Sequence, residues 1–310
     1  MVEYASSIRH TYSKGRFIVL KRVLVIVLLA FMVMASAQDA VKVRLGFNPT
    51  QNSDELLVSA QAIADYLEET FAGQIEVEVF LPTEYRGLIE AMRSDNLDFA
   101  FFPPDGYVIA HREAEAEVLL KSVRFGNPFY WSAIIVRKDS GITDIGGLED
   151  KTIAWVDPNS AAGYVFPRAE ITIAGIEPDD FFSNQTFAGG HDAAVLSVLN
   201  GSVDAAATFA NDAENISGAW TQFLDEDQAA EITSIFYSRP IPGDTFSVSP
   251  SFKNAYPELT AQIADAIAAI KMPDSELLQN LYRIDYMVEA TDDDYAVVRE
   301  AREVLGLDEE

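Results

Sequence analysis

The stretch "TIAWVDPNSAAGYVFPRAEITIA" (residues 152–174) contains a complete strand–turn–helix unit. Its apolar start predicts a strand at 152–156, and the Asp-Pro-Asn sequence at 157–159 favours a turn. Ser160 is a residue type that commonly caps helices, so we expect a helix over 160–174. A strand followed at once by a helix is the building block of α/β proteins with parallel sheets.

The first turn of this helix is formed by Ala161, Ala162 and Gly163, which carry almost no side-chain bulk. Helix starts leave backbone N–H groups unpaired and carry partial positive charge, so small residues there leave space for an anion. The alternative is that Ser160 only caps the helix and that the small residues serve packing. The turn alone does not choose between these two interpretations.

Strand and helix patterns alternate along the chain on both sides of this unit. This alternation predicts right-handed βαβ units and an α/β fold with mainly parallel sheets. The predicted strands are 41–49, 75–82, 97–104, 131–140, 152–156 and 202–209, with strand, turn and strand in 231–250. The predicted helices are 53–73, 83–96 (capped by Thr83), 160–174, 191–200, 256–271 and 274–306.

The pattern restarts near residue 131, which predicts two α/β lobes with the second inserted into the first. The expected division is 38–130 plus 244–310 for the first lobe and 131–243 for the second. Strands near 131–136 and 235–247 are the candidate crossings, and two crossing segments are able to act as a hinge. A cleft between two such lobes is a common place for a small ligand.

The N-terminus has the layout of a secretory signal peptide. Basic residues precede an apolar run at 23–34, and an Ala-Ser-Ala sequence at 35–37 predicts cleavage after Ala37. The apolar run is shorter than the roughly 20 residues that a spanning helix needs. We therefore expect residues 1–37 to be removed from an exported protein without stable membrane insertion.

Composition narrows the class of protein further. The chain has no cysteine, so it has neither disulfides nor the cysteine of a bacterial lipoprotein. The net charge of the whole chain is −27. Residues 1–37 carry a net positive charge, so the charge without them is close to −31. Such a charge argues against nucleic acid and anionic membranes as partners. A soluble periplasmic protein is the simplest interpretation.

Four predicted helices begin after loops rich in small or polar residues. In parallel α/β lobes such starts lie at the carboxyl ends of strands, where ligands bind. Several starts that converge on one cleft would hold an anion without any lysine or arginine. The four loops are "NPTQNSDE" (48–55), "PTEYRG" (82–87), "DPNSAAGY" (157–164) and "AGGHDAA" (188–194).

Three segments of the chain, taken in order and spacing, resemble those of a known family. "DPNSAAGY", "FAGGHDAAVLSVLNGSVDAAAT" and "RPIPGD" are similar to the phosphonate/phosphite/phosphate-type (PhnD-like) periplasmic substrate-binding proteins of ABC transporters, over roughly 41–272. The resemblance implies a type II periplasmic binding fold, in which two lobes joined by a two-segment hinge close over the ligand. It also implies an ABC permease and ATPase as partners, and no cofactor, metal or catalytic residue.

The family's ligand-binding positions are carried over one residue at a time. They fall on Tyr85, Tyr130, Ser160, Ala161, Ala162, His191 and Asp244. In binders of aminoethylphosphonate a further acid receives the substrate amine, and here Asp212 is the first candidate and Glu214 the second. The family pattern has hydroxyls where this chain has Ala161 and Ala162, so backbone donation is kept while side-chain hydrogen bonds are lost.

Asp244 carries a prediction about selectivity. An ionised carboxylate accepts hydrogen bonds but cannot donate them, so it favours a ligand with a P–OH group. Sulfate has no proton to offer near neutral pH, and an unpaired buried acceptor costs about 1–3 kcal/mol. We therefore expect the site to reject sulfate.

Other function classes have less support in the sequence. An exported hydrolase would need a nucleophile or a metal motif, and neither a cysteine nor a G-x-S-x-G or H-E-x-x-H motif is present. A binder of another small anion or of an amino-acid-like solute would want an arginine, for which Arg86 and Arg168 are the candidates. A ligand-sensing partner of a membrane receptor would share the same fold and site.

Overall fold

The fold is organised around two sheets. The computed structural model describes residues 40–49, 53–214 and 216–308, so the predicted signal peptide lies outside the described residues. The described strands form two six-stranded sheets. They are β1 (Val41–Phe47), β2 (Ile75–Phe80), β3 (Phe99–Phe102), β4 (Glu117–Val123), β5 (Phe129–Arg137), β6 (Thr152–Trp155), β7 (Asn184–Phe187), β8 (Ala205–Ala210), β9 (Ile232–Tyr237), β10 (Ile241–Pro242), β11 (Thr245–Val248) and β12 (Tyr286–Glu289).

The described α-helices pack on these sheets and connect their strands. They are α1 (Ser53–Thr70), α2 (Arg86–Arg93), α3 (Pro104–Ala114), α4 (Phe166–Ile173), α5 (Pro178–Phe181), α6 (His191–Leu199), α7 (Ala219–Phe223), α8 (Glu226–Ala229), α9 (Pro250–Ala255), α10 (Pro257–Ala269), α11 (Leu277–Tyr282) and α12 (Ala296–Val304). A π-helical turn (Ala161–Val165) leads directly into α4. No helix in the described ranges combines the length and apolarity needed to cross a bilayer.

The first sheet has the strand order β12-β4-β11-β3-β1-β2. β1 and β3 are parallel, with Leu45 opposite Phe99, as expected for a βαβ unit. β3 reads "FAFF" and is buried along its whole length, because neighbouring strands and helices cover both of its faces. β11 lies antiparallel between β3 and β4, and it places Phe246 opposite Phe101.

The second sheet has the strand order β10-β5-β8-β6-β7, and β9 pairs with β5. β6 is parallel to both β7 and β8, whereas β5 is antiparallel to β8, β9 and β10. The α/β prediction is thus confirmed. Parallel pairing holds in the βαβ units, and the strands next to the crossings, β5 and β11, add antiparallel pairs.

The chain passes between the two sheets twice, and the two crossings touch each other. The outward crossing follows β4 and the return crossing lies between β10 and β11. The backbone N–H of Gly243 donates to the carbonyl of Pro128 at 3.0 Å, and the N–H of Ser122 donates to the carbonyl of Asp244 at 2.9 Å. A Cβ atom at position 243 would lie 2.2 Å from the carbonyl oxygen of Ser122, so only glycine allows this approach.

The strands of the first sheet come from 41–123 and 245–289, and those of the second come from 129–242. Both sheets belong to one compact unit, Lys42–Glu310. The lobe boundaries and the hinge motion stay predictions. One buried apolar cluster contains Phe102 of β3 together with Val165 and Phe166, so it connects elements of both sheets.

Two predicted helices differ from the structure. The helix expected over 83–96 with Thr83 as its cap is α2, which begins at Arg86 with Tyr85 in the cap position. The helix expected over 274–306 is divided, because β12 lies within it. The edge of β4 supplies backbone hydrogen bonds to β12, and this tertiary pairing outweighs the helical periodicity of the segment.

Candidate functional site

A cavity opens where loops from both sheets meet. The cavity and its open mouth together hold about 660 Å³ of space unoccupied by protein atoms, and this figure includes open solvent at the mouth. Its walls include residues that follow β3, β6 and β8 and that begin α2 and α6. This is the expected position for a ligand site in an α/β protein, at the carboxyl ends of strands.

Six of the eight residues predicted for the site line this cavity. The structure thus brings together side chains that are spread over 160 positions of the sequence. They are Tyr85, Tyr130, Ser160, Ala161, His191 and Asp244.

Ser160 begins the π-helical turn, and its hydroxyl oxygen accepts a hydrogen bond from the N–H of Gly163 at 3.1 Å. This confirms the predicted cap, and it leaves the hydroxyl proton of Ser160 available as a donor. The N–H groups of Ala161 and Ala162 have no intrahelical partner, because they belong to the first turn. A Cβ atom at position 163 would lie 2.4 Å from Val156, so glycine is required where the turn packs on the end of β6.

Tyr85 and Asn48 are two buried polar residues near this turn. Both residues are almost fully buried, yet the Tyr85 hydroxyl and the Asn48 side-chain amide have no hydrogen-bond partner among the described residues. Burial raises the pKa of the Tyr85 hydroxyl, the carboxylates of Asp157 and Asp244 raise it further, and the nearby Asn48 and Ser160 oppose the shift. Tyr85 is therefore a neutral hydroxyl with a proton to donate.

Two more tyrosines surround the cavity. Burial raises the pKa of Tyr130 and of Tyr282 well above the usual tyrosine value, and the charge of Asp244 adds to both shifts. The hydroxyl of Tyr282 donates to the backbone carbonyl of Asn48 at 2.9 Å. The hydroxyl of Tyr130 makes no hydrogen bond to a described residue, so it is a second uncommitted donor at the cavity.

His191 is the first residue of α6 and is buried in the cavity wall. Its Nδ1 lies 2.9 Å from the hydroxyl oxygen of Thr208, and its ring packs edge-on against Phe209. Burial lowers the pKa of His191 to about 3, so the imidazole is neutral at physiological pH. When Thr208 donates to Nδ1, the proton resides on Nε2 and is available to an anion.

Sequence reasoning missed an arginine in this site. Arg124 lines the cavity, and its Nη2 donates to Oδ2 of Asp244 at 2.5 Å. Its Nε donates to the carbonyl of Tyr282 at 2.9 Å, and its Nη1 donates to the hydroxyl of Ser122 at 2.8 Å. The sequence-based argument did not require an arginine at the anion site, and the structure places one in this cavity. The available signal was a charged residue directly after the mixed apolar and polar segment 117–123, which forms β4.

The two arginines that the sequence did single out lie elsewhere. Arg86 pairs with Glu113 and Glu90 on the surface of α2 and α3. Arg168 pairs with Asp179. Neither residue lines the cavity.

Asp212 and Ala162 do not line the cavity either. The carboxylate of Asp212 accepts hydrogen bonds from the N–H groups of Glu214, Ile216 and Ser217 and from the Ser217 hydroxyl. It is therefore used to hold its own loop, and the second candidate, Glu214, is exposed in that loop. Ala162 is buried in the apolar cluster, and its carbonyl accepts a hydrogen bond from Ser132.

The arrangement as a whole is suited to binding an anion. Neutral hydroxyl, imidazole and amide donors line one side, and the paired charges of Arg124 and Asp244 lie beside them. Within the described ranges no group of three or more His, Asp or Glu residues is arranged to hold a metal ion.

Comparisons with known proteins agree with this picture. The chain is 33% identical over 173 residues to the "Phosphate-import protein PhnD" of Mycolicibacterium smegmatis, covering 52% of this chain and 53% of that protein. It is 32% identical over 176 residues to the "Phosphonates-binding periplasmic protein" of Escherichia coli K12, covering 55% and 50%. The aligned part thus spans about half the length of the curated relatives that the chain matches.

Solved structures share the fold. A binding protein component of an ABC phosphonate transporter from Pseudomonas aeruginosa has a TM-score of 0.73 at 23% identity, covering 85% of this chain and 86% of that one. PhnD1 of Prochlorococcus marinus in complex with methylphosphonate has a TM-score of 0.73 at 18% identity, covering 86% and 98%. A family model described as "ABC transporter, phosphonate, periplasmic substrate-binding protein" matches residues 45–295. The chain therefore belongs to the family of periplasmic phosphonate substrate-binding proteins of ABC transporters.

Proposed function

We propose that this protein captures a phosphorus oxyanion (phosphite, a phosphonate or phosphate) in the cavity and delivers it to an ABC permease. The observation that carries the proposal is the buried Tyr85 hydroxyl, which lines the cavity without a hydrogen-bond partner among the described residues. An unpaired buried hydroxyl costs about 1–3 kcal/mol. A bound oxyanion recovers this cost, because its oxygens accept the hydrogen bond.

The other donors extend the same site. The Ser160 hydroxyl and the N–H of Ala161 lie at one helix start, and Tyr130 and His191 line the same cavity. All of these groups are neutral, and neutral donors bind an oxyanion by hydrogen bonds with fixed directions. The binding role of Ala162 rests on its backbone N–H alone. We leave Asp212 out of the proposed site, because its carboxylate holds its own loop.

Asp244 is the proposed acceptor for a P–OH group. One of its carboxylate oxygens is bonded to Arg124, whereas Oδ1 makes no hydrogen bond to a described residue. Arg124 compensates the negative charge of Asp244, which reduces repulsion of the oxyanion. The second oxygen is available to accept a hydrogen bond, and a P–OH group provides a donor where sulfate does not.

Ligand capture in this proposal involves movement of two lobes, residues 38–130 plus 244–310 and residues 131–243. One support is that the two crossings lie side by side. A second is that residues from both sheet-containing parts of the chain line the cavity. Paired crossing segments are a common hinge arrangement.

The proposed role is binding without catalysis. His191, the histidine of the cavity, has a pKa of about 3 and is therefore a weak base at neutral pH. The proposal also includes export with cleavage after Ala37, which would place the protein in the periplasm next to its permease and ATPase.

A ligand screen by calorimetry and thermal shift tests the proposal. We expect phosphite, methylphosphonate, 2-aminoethylphosphonate or phosphate to bind and stabilise the protein, and sulfate to bind at least about tenfold more weakly than the best of them. Tyr85→Phe removes the proposed donor and should weaken binding. Tyr256→Phe, at an exposed tyrosine outside the cavity, is the matched control. Absence of stabilisation by any phosphorus compound would refute the function.

A further inference from the structure

The cavity has a second set of polar groups, apart from the oxyanion donors. Arg283 follows α11 on the first-sheet side, while Asn211 follows β8 and Gln222 lies in α7 on the second-sheet side. None of these three side chains has a hydrogen bond or an ion pair with a described residue. Three uncommitted polar side chains around one cavity are available to a ligand.

Arg283 is placed at the cavity mouth by an unusual backbone conformation. It caps the C-terminus of α11 with φ 55°, in the left-handed region that non-glycine residues rarely adopt. It is exposed to solvent and also lines the cavity, so its guanidinium is available to a ligand group that extends toward the solvent. In a chain with 49 acidic and 22 basic residues, most described arginines are paired with acids, and this one is not.

The cavity offers little to a positively charged substituent. Asp244 is the one acid among the described residues that line the cavity, and one of its oxygens is bonded to Arg124. The two acids predicted to receive an amine, Asp212 and Glu214, lie outside the lining. When a P–OH group occupies the second oxygen of Asp244, as proposed above, an ammonium group meets two arginines and no carboxylate oxygen that is still available.

We propose that the cavity prefers phosphonates whose organic substituent ends in a carboxylate over those that end in an amine, with Arg283, Asn211 and Gln222 as the residues that determine this specificity. The proposal rests on the proposed function, because it assumes that the phosphonate group occupies the oxyanion donors. An arginine binds a carboxylate through charge-assisted hydrogen bonds, and side-chain amides add neutral ones. The aromatic rings of Phe209 and Phe223 line the same cavity and cover the carbon chain of the substituent.

Calorimetry with phosphonoacetate, ethylphosphonate, 2-aminoethylphosphonate and methylphosphonate tests the preference. We expect phosphonoacetate to bind at least about tenfold more tightly than 2-aminoethylphosphonate, because a charge-assisted hydrogen bond replaces a repulsion. Ethylphosphonate, which has no charged substituent, should lie between them.

Two variants assign the preference to residues. Arg283→Asn keeps a residue that tolerates the left-handed conformation, and Gln222→Leu removes one amide. Each should lower the ratio of phosphonoacetate affinity to methylphosphonate affinity, by about tenfold for Arg283→Asn. Arg93→Gln removes an equal charge from the exposed surface of α2 and should leave the ratio unchanged.

The outcomes separate this proposal from the function on which it rests. Tighter binding of 2-aminoethylphosphonate than of phosphonoacetate, with methylphosphonate still bound, overturns the preference alone. An unchanged ratio in both cavity variants overturns the residue assignment. No binding of any phosphonate, methylphosphonate included, refutes the proposed function and this proposal with it.

Discussion

Arg124 and Asp244 meet in the wall of the cavity, where Nη2 of the arginine lies 2.5 Å from Oδ2 of the aspartate. Both side chains are mostly shielded from solvent, with 15% and 22% of their surface exposed. The contact joins the two crossings, since Arg124 follows β4 and Asp244 precedes β11. The same pair therefore lies at the crossings of the fold and in the cavity that contains the proposed oxyanion donors.

The first prediction concerns selectivity against sulfate. Asp244→Asn replaces an acceptor by an amide that also donates, so a ligand no longer needs a P–OH group. We expect the ratio of phosphite to sulfate affinity to fall by about tenfold or more in this variant. Competition calorimetry measures the ratio. Asp293→Asn changes an exposed acid outside the cavity and is the control; an equal fall in both variants would contradict the role of Asp244.

The second prediction concerns the ion pair itself. Arg124→Met leaves Asp244 without its compensating charge, so the carboxylate repels an incoming oxyanion. We expect weaker oxyanion binding in Arg124→Met and partial recovery in the double variant with Asp244→Asn. A double-mutant cycle on the free energy of unfolding should give a coupling of about 1–3 kcal/mol for this charge-assisted bond. Additive effects in the cycle would mean that the two charges act independently.

The third prediction concerns stability in acid. The pKa of His191 is lowered to about 3 in the folded state, whereas an unfolded histidine titrates near 6.5. As the pH falls, the unfolded state therefore takes up a proton before the folded state does. The free energy of unfolding is unaffected by His191 above about pH 6.5, and it decreases progressively from there toward pH 3. We expect a loss of about 2 kcal/mol between pH 7 and pH 5 from this residue.

Denaturant titrations at the two pH values compare the protein with His191→Gln. The variant should lack that part of the pH dependence. His111→Gln, at a partly exposed histidine outside the cavity, is the matched control and should keep it. An equal decrease in the free energy of unfolding between the two pH values, in the protein and in His191→Gln, would show that His191 is not held neutral by burial.

The fourth prediction concerns the turn at Ser160. Gly163→Ala forces a methyl group against Val156, where the Cβ position lies 2.4 Å away. We expect a loss of about 1–3 kcal/mol in the free energy of unfolding, together with weaker ligand binding, because the turn must move. Gly146→Ala meets only a side-chain oxygen of Asp144 at 3.3 Å and should cost less. Equal losses in the two variants would contradict this packing argument.

The sequence predicts the parts of this protein that local rules control. The strand at 152–155, the Ser160 cap and the α6 start at His191 follow from hydrophobic runs and capping residues, which act between near neighbours. The same rules fail at 274–306, where the strand β12 forms only because β4 is present to pair with it.

The candidate site likewise contains some residues that local sequence patterns predict and others that only long-range contacts bring to the cavity. Local motifs and the family resemblance named Tyr85, Ser160 and His191, and all three line the cavity. Arg124 and Arg283 carry no motif, and they reach the cavity because the crossings and the end of α11 lie against it. The amine acceptor placed at Asp212 depended on a loop conformation, and in the structure the carboxylate bonds to that loop instead.

The amino-acid sequence by itself determined the α/β class, the capped turn at 160–163 and the family. Only the tertiary structure decided which charged residues line the cavity, because that depends on long-range contacts. Gly243 allows the return crossing to lie against Ser122, and this contact sets Asp244 beside Arg124. Residues 120 positions apart in the sequence thereby form one ion pair, and no local rule relates them.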